Sequence, residues 1–117
     1  MLIYKEFSFD AAHYLTKVPP GHKCAVMHGH TYHLKIWLKG NVNEQGWVMD
    51  FAVVKAAVKQ VIDLIDHQCL NTIEGLENPT SEVLVQWLWK RLKISLPLLH
   101  EIELRETPTS GVVYNGE

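Results

Sequence analysis

The chain has 117 residues, enough for one domain and not for two. Its 47% hydrophobic and 21% charged residues are ordinary globular values, and a net charge of -2 excludes a general electrostatic attraction to nucleic acid or anionic membrane. No apolar run suits a bilayer span or a secretory signal, so the two cysteines, Cys24 and Cys69, are expected as free thiols in a cytoplasmic protein.

From Ile3 to His13 the residues alternate as in a strand. Ile3, Phe7, Phe9, Ala11 and His13 share one face, with Glu6, Ser8 and Asp10 on the other. "YLTKVPPGHKCAVM" follows as a long loop, with Pro19, Pro20 and Gly21 together. A second strand runs from about His28 to Lys39. His30, Tyr32, Leu34, Ile36 and Leu38 lie on one side, and Thr31, His33, Lys35, Trp37 and Lys39 on the other. "GNVNEQG" is a turn. Asp50 can cap a helix to about Ile65, its stripe made by Phe51, Val54, Val58, Val61 and Ile65 with Ala57 and Ile62. Asn78 is expected as the N-cap of a second helix that starts at Pro79 and stops before Pro97. Ile102, Leu104 and Glu106 alternate with Glu103 and Arg105 in a third strand, and "SGVVYNG" is a short fourth. The order strand, strand, helix, helix, strand, strand predicts an α+β fold: a four-stranded antiparallel sheet with two helices on one face. Its open edges and uncovered face make association with further copies plausible.

The densest chemistry lies in "KCAVMHGHTYH". His28 and His30 are two apart and point the same way from a strand, whereas His33 has the opposite parity. If the first two strands pair antiparallel around the long loop, His13 meets His28 and His30. Three imidazoles leave a fourth position open on zinc, copper, iron or nickel, an arrangement typical of a catalytic zinc. Cys24 follows Lys23, and nearby positive charge lowers a thiol pKa. Asp66 and His67 are expected to close the first helix, where the helix dipole favours a cationic histidine. Glu106 lies on the apolar side of its strand, so it either emerges into water or has a partner. Thr80 and Ser81 open the second helix, where free N–H groups and hydroxyls can take a polar ligand edge.

"FDAAH", "GHKCAVMHGH", "IDHQCLN", "ENPTSEV" and "RET" together resemble the 6-pyruvoyltetrahydropterin synthase family, over nearly the whole chain from Phe7 to Glu117. The three residues between Cys24 and His28 are similar to the bacterial branch that forms 6-carboxytetrahydropterin for queuosine biosynthesis. Members making the pyruvoyl product typically carry two more. The resemblance implies a tunnelling-fold subunit, zinc (Zn2+) on His13, His28 and His30, and a homo-oligomer, a trimer or a homohexamer built from two trimers, with sites at subunit interfaces. It further implies Cys24 as catalytic base, His67 with Asp66 as proton relay, and Glu106 as anchor of a pterin's 2-amino group and ring N–H. His22, Lys23 or Arg105 could meet a triphosphate. The activity implied is conversion of 7,8-dihydroneopterin triphosphate to 6-carboxy-5,6,7,8-tetrahydropterin, releasing acetaldehyde and triphosphate without a nicotinamide cofactor. The alternatives are the pyruvoyl-forming reaction on the same substrate and a non-catalytic zinc-binding module.

Overall fold

The computed structural model describes all of residues 1–117. Strands β1 (Leu2–His13) and β2 (His28–Lys39) form a long antiparallel hairpin. Helix α1 (Phe51–Ile62), the two-residue strand β3 (Gln68–Cys69), helix α2 (Ser81–Ser95) and strands β4 (Leu99–Thr107) and β5 (Ser110–Tyr114) follow. The sheet order is β3-β1-β2-β4-β5. The sheet therefore has five strands rather than the expected four. The addition, β3, pairs parallel to β1 through Ala11 and Ala12, and a two-residue strand is too short to leave a periodic signature.

One cluster of 22 buried residues joins the inner face of the sheet to both helices. Phe9, Ala11, Tyr32, Leu34, Ile36, Leu38, Ile102 and Leu104 meet Val54, Val58, Leu84, Leu88 and Leu92 there. The other face stays open and carries Glu6, Ser8, Asp10, Thr31 and His33, all exposed. On it Lys35 Nζ lies 4.2 Å from the centre of the Tyr4 ring and 4.8 Å from that of Trp37. No helix is long and apolar enough to cross a membrane.

Two helix boundaries differ from the sequence expectation. Helix α1 is capped by the Asp50 carboxylate, which accepts from Ala52 N–H, but it ends at Ile62. Ile65 still reaches the core, from the turn beyond, whereas Phe51 at the helix start is 48% exposed. Asp66 and His67 thus lie past the helix, and His67 takes a left-handed backbone (φ 59°). Helix α2 is capped by Thr80, whose hydroxyl accepts from Val83 N–H, and not by Asn78.

The β4–β5 ladder is irregular between Leu104 and Thr107, opposite Gly111. A Cβ on Gly111 would stand 2.6 Å from Arg105 Cγ and 2.9 Å from the Leu104 carbonyl oxygen. This close approach delivers Glu106 at the end of the ladder, as irregular ladders commonly do beside sites. Gly111→Ala is therefore expected to destabilise the protein by about 1–3 kcal/mol through overpacking, read as a lower urea midpoint at unchanged slope.

Candidate metal centre and adjoining cleft

The β1–β2 register sets His13 directly opposite His28 and Ala11 opposite His30. Three imidazoles consequently converge from two strand ends, with ring centres 4.6 Å (His13–His28), 5.0 Å (His13–His30) and 4.9 Å (His28–His30) apart. Their ligating atoms all lie within 4.8 Å of one another. Two of the tautomers follow from elementary bonding. His13 Nδ1 lies 2.8 Å from the Pro79 carbonyl, and His28 Nδ1 lies 2.7 Å from the Val26 carbonyl. A carbonyl only accepts, so both Nδ1 atoms carry the proton and both Nε2 atoms present lone pairs. Those two Nε2 atoms stand 3.0 Å apart. His30 Nε2 is buried with no hydrogen-bond partner, 3.9 Å from Glu106 Oε2. Facing lone pairs and an orphaned buried nitrogen are costly unless a cation sits among them. The donor set therefore fits a metal ion, with outer carbonyls that fix the ring orientations in the usual way.

Burial lowers the pKa of His13 below 6.5, partly offset by the Pro79 hydrogen bond. The folded form therefore takes up a proton less readily than the unfolded chain. Between the folded pKa and 6.5 the unfolded chain binds the proton while the fold does not, so acidification across that interval favours unfolding. Stability then rises with pH through the interval up to 6.5 and levels off above it. Metal-free protein is expected to show this rise in urea titrations across that interval, and His13→Gln to flatten it. Tyr32, fully buried, stacks on Phe9 and places its hydroxyl 3.3 Å from His13 Nδ1. Burial pushes the pKa of that hydroxyl up, so it stays neutral. Neither Tyr32 nor the Pro79 carbonyl is recognisable as a site element from sequence, because one reads as core and the other is backbone.

A cleft of about 210 Å³ opens beside the histidines, lined by His13, Leu15, Cys24, His28, Thr80, Ser81, Glu82 and Glu106. Glu106 does have a partner: Ser81 Oγ donates to its Oε2 at 3.1 Å. Ser81 owes its position to the start of α2, and Thr80 is occupied as the cap. Cys24 sits in a 3-10 turn, Lys23–Ala25, where its N–H donates to Nδ1 of His22 at 3.0 Å. His33 points to the open face, with Glu6, Lys35, Glu103 and Arg105 around it, away from the three histidines.

Asp66 and His67 do not share this cleft. They touch each other (His67 Nδ1 to Asp66 Oδ1, 2.9 Å), and His67 adjoins a second cavity, which it lines together with Asp10, Gly29, His30, Thr31, Gln68 and Cys69. Asp66 accepts from Asp10 N–H at 3.0 Å, which, with His67, holds its carboxyl below the usual carboxylate range. His67 N–H donates to the Asp10 carbonyl at 2.6 Å. The cation-favouring helix end expected for His67 is absent, since α1 stops at Ile62; its charge partner is Asp66 instead.

An α+β subunit with a three-histidine centre beside a carboxylate and a thiol defines a metalloenzyme-like site on a small open sheet. The family model described as 6-pyruvoyl tetrahydropterin synthase matches residues 2–117, and the chain belongs to this family of pterin-processing enzymes. Among curated relatives, the 6-carboxy-5,6,7,8-tetrahydropterin synthase of Synechocystis sp. is 42% identical over 97% of this chain and 92% of its own. The dihydroneopterin monophosphate aldolase of Pyrococcus furiosus is 38% identical over 82% and 77%. Among solved structures, 6-pyruvoyl tetrahydropterin synthase of Caenorhabditis elegans superposes with a TM-score of 0.93 at 29% identity, covering 100% of this chain and 96% of that one.

Proposed function

We propose that the protein is a zinc-dependent lyase that converts 7,8-dihydroneopterin triphosphate to 6-carboxy-5,6,7,8-tetrahydropterin, with release of acetaldehyde and triphosphate, in queuosine biosynthesis. One observation carries the reading: a single cleft joins the histidine centre to Cys24 and Glu106. His13, His28 and His30 would hold the metal through Nε2. When bound there, zinc supplies Lewis acidity that polarises the substrate's side-chain hydroxyls and acidifies the attached C–H. Glu106 accepts from the pterin's 2-amino group and ring N–H in a paired contact, and Ser81 orients that carboxylate. Thr80 lines the same pocket. Cys24 as thiolate removes the side-chain proton.

His67, with Asp66 supporting its charge, returns protons, and here the site needs a second copy. In one chain His67 lines a different cavity from Cys24, and Asp66 lines neither. The subunit is also extended for its length, with a radius of gyration of 15.3 Å against about 13 Å for a compact chain of this size. Both facts support a trimer or hexamer whose sites are completed across interfaces. The unpaired Cys24 and Cys69 fit a reducing cytoplasm.

The runner-up, formation of the 6-pyruvoyl product, is favoured by the close superposition on the Caenorhabditis elegans enzyme. Both reactions use the same anchor and base. The 42% identity to the Synechocystis enzyme and the three-residue gap from Cys24 to His28 favour the carboxy product. A non-catalytic zinc module would close the fourth metal position with a protein ligand. The cleft beside the histidines offers a way in instead. Incubation of the zinc-loaded protein with dihydroneopterin triphosphate is expected to yield acetaldehyde and 6-carboxytetrahydropterin by mass spectrometry. Accumulation of the pyruvoyl compound without acetaldehyde would overturn the assignment.

A further inference from the structure

The turn that carries Cys24 is attached to the body of the subunit by very little. His22 N–H bonds to Pro19, Ala25 N–H to His22 and Val26 N–H to Lys23, all inside the loop. Apart from the Val26 carbonyl held by His28, the hydrogen bond leading outward is Leu15 N–H to the Cys24 carbonyl, 2.8 Å. The placement of Cys24 therefore depends on the placement of Leu15.

Leu15 is held on both sides by asparagine side chains from distant sequence. Asn71 Oδ1 accepts from Tyr14 N–H at 3.0 Å, and its Nδ2 donates to the Tyr14 carbonyl at 2.8 Å and to the Glu77 carbonyl at 3.3 Å. Asn78 Oδ1 accepts from both Thr16 N–H (3.1 Å) and Thr16 Oγ1 (3.2 Å). Three consecutive N–H groups, of Tyr14, Leu15 and Thr16, are thus committed to Asn71, Cys24 and Asn78. The platform behind them is rigid, because Leu70 and Leu76 are fully buried in the core. The residues after Asn78 reach the rest of the site: Pro79 holds His13, Thr80 caps α2, and Ser81 holds Glu106.

We propose that Asn71 and Asn78 are positioning residues that clamp Tyr14–Thr16 and thereby hold Cys24 against the histidine centre. The inference rests on the assignment of Cys24 as the base. Neither asparagine side chain hydrogen-bonds to a metal ligand or to Glu106, so the clamp acts chiefly on the rate of proton removal rather than on pterin or metal affinity. A misplacement of about 1 Å can cost on the order of 100-fold in rate.

The two asparagines make opposite demands on one isosteric change. Asn78→Asp keeps the acceptor oxygen that Asn78 uses, whereas Asn71→Asp keeps one acceptor and loses both donors, setting a carboxylate against two carbonyls. Asn71→Asp and Asn78→Ala are each expected to lower kcat by about 10- to 100-fold, with KM and zinc content near the parent values. Asn78→Asp is expected to restore kcat to near the parent. Amide hydrogen exchange at Leu15 should quicken in the first two variants and not in the third. If Asn78→Ala fails to fold, the aspartate pair carries the comparison alone. Unchanged kcat in Asn71→Asp, unchanged Leu15 exchange there, or equal damage from both aspartates would overturn the clamp. Failure of the base assignment shows separately, as full activity of Cys24→Ala.

Discussion

Cys24→Ala is expected to lower turnover of dihydroneopterin triphosphate by about 100- to 10,000-fold, the usual contribution of a positioned base. Zinc content should stay near one per chain, because the proposed ligands are His13, His28 and His30 and not sulfur. Substrate affinity should change little, since recognition of the ring is proposed for Glu106 and Ser81 and not for Cys24. The turn itself loses no backbone bond: Leu15 still donates to the carbonyl of residue 24, and residue 24 still donates to His22. A drop in kcat at constant metal content and folding thus isolates the thiol. Turnover by Cys24→Ala at the parental rate, with zinc bound, would remove Cys24 from the mechanism.

His30→Ala is expected to empty the metal centre, and His33→Ala to leave it filled. The two histidines are three residues apart on one strand, yet they point to opposite faces. His30 offers a buried nitrogen without any other partner, whereas His33 faces Arg105 and Glu6 across the open side of the sheet. Loss of an outer hydrogen-bond partner alone costs about 10- to 100-fold in metal affinity, so removal of a ligand should exceed that. Elemental analysis after dialysis against a chelator reads the result directly. Equal zinc loss in both variants would overturn the face assignment. The comparison controls for general damage, since both side chains come from the same strand.

The hairpin and its histidines were legible because alternation has a strict period of two. Once His13 and His28 bracket one loop, antiparallel pairing brings them together. Glu106 was legible as an anomaly, a carboxylate on an apolar face, but its partner Ser81 lies 25 positions away and no local pattern connects them. Asn78 illustrates the opposite failure. Asparagine before proline satisfies every local rule for a helix cap, and Thr80 satisfies them too. The decision fell to Thr16, which claims the Asn78 side chain across 62 residues. Asp66 and His67 were read as a helix end because the apolar stripe continues to Ile65. The chain instead turns at Asp63 and still buries Ile65, since burial does not require helical geometry.

The sequence by itself determined the four longer strands, the helix stripes, the parity that divides His30 from His33, and the family. These depend on residue type and short periods, which are local. Only the tertiary structure decided which tautomers the histidines hold, that Glu106 rests on Ser81, and that Asn71 and Asn78 grip the strand end beside Cys24. It alone separated Asp66 and His67 from the cleft. Those outcomes depend on which hydrogen-bond partners folding brings within about 3 Å, and that is set by the packing of distant segments.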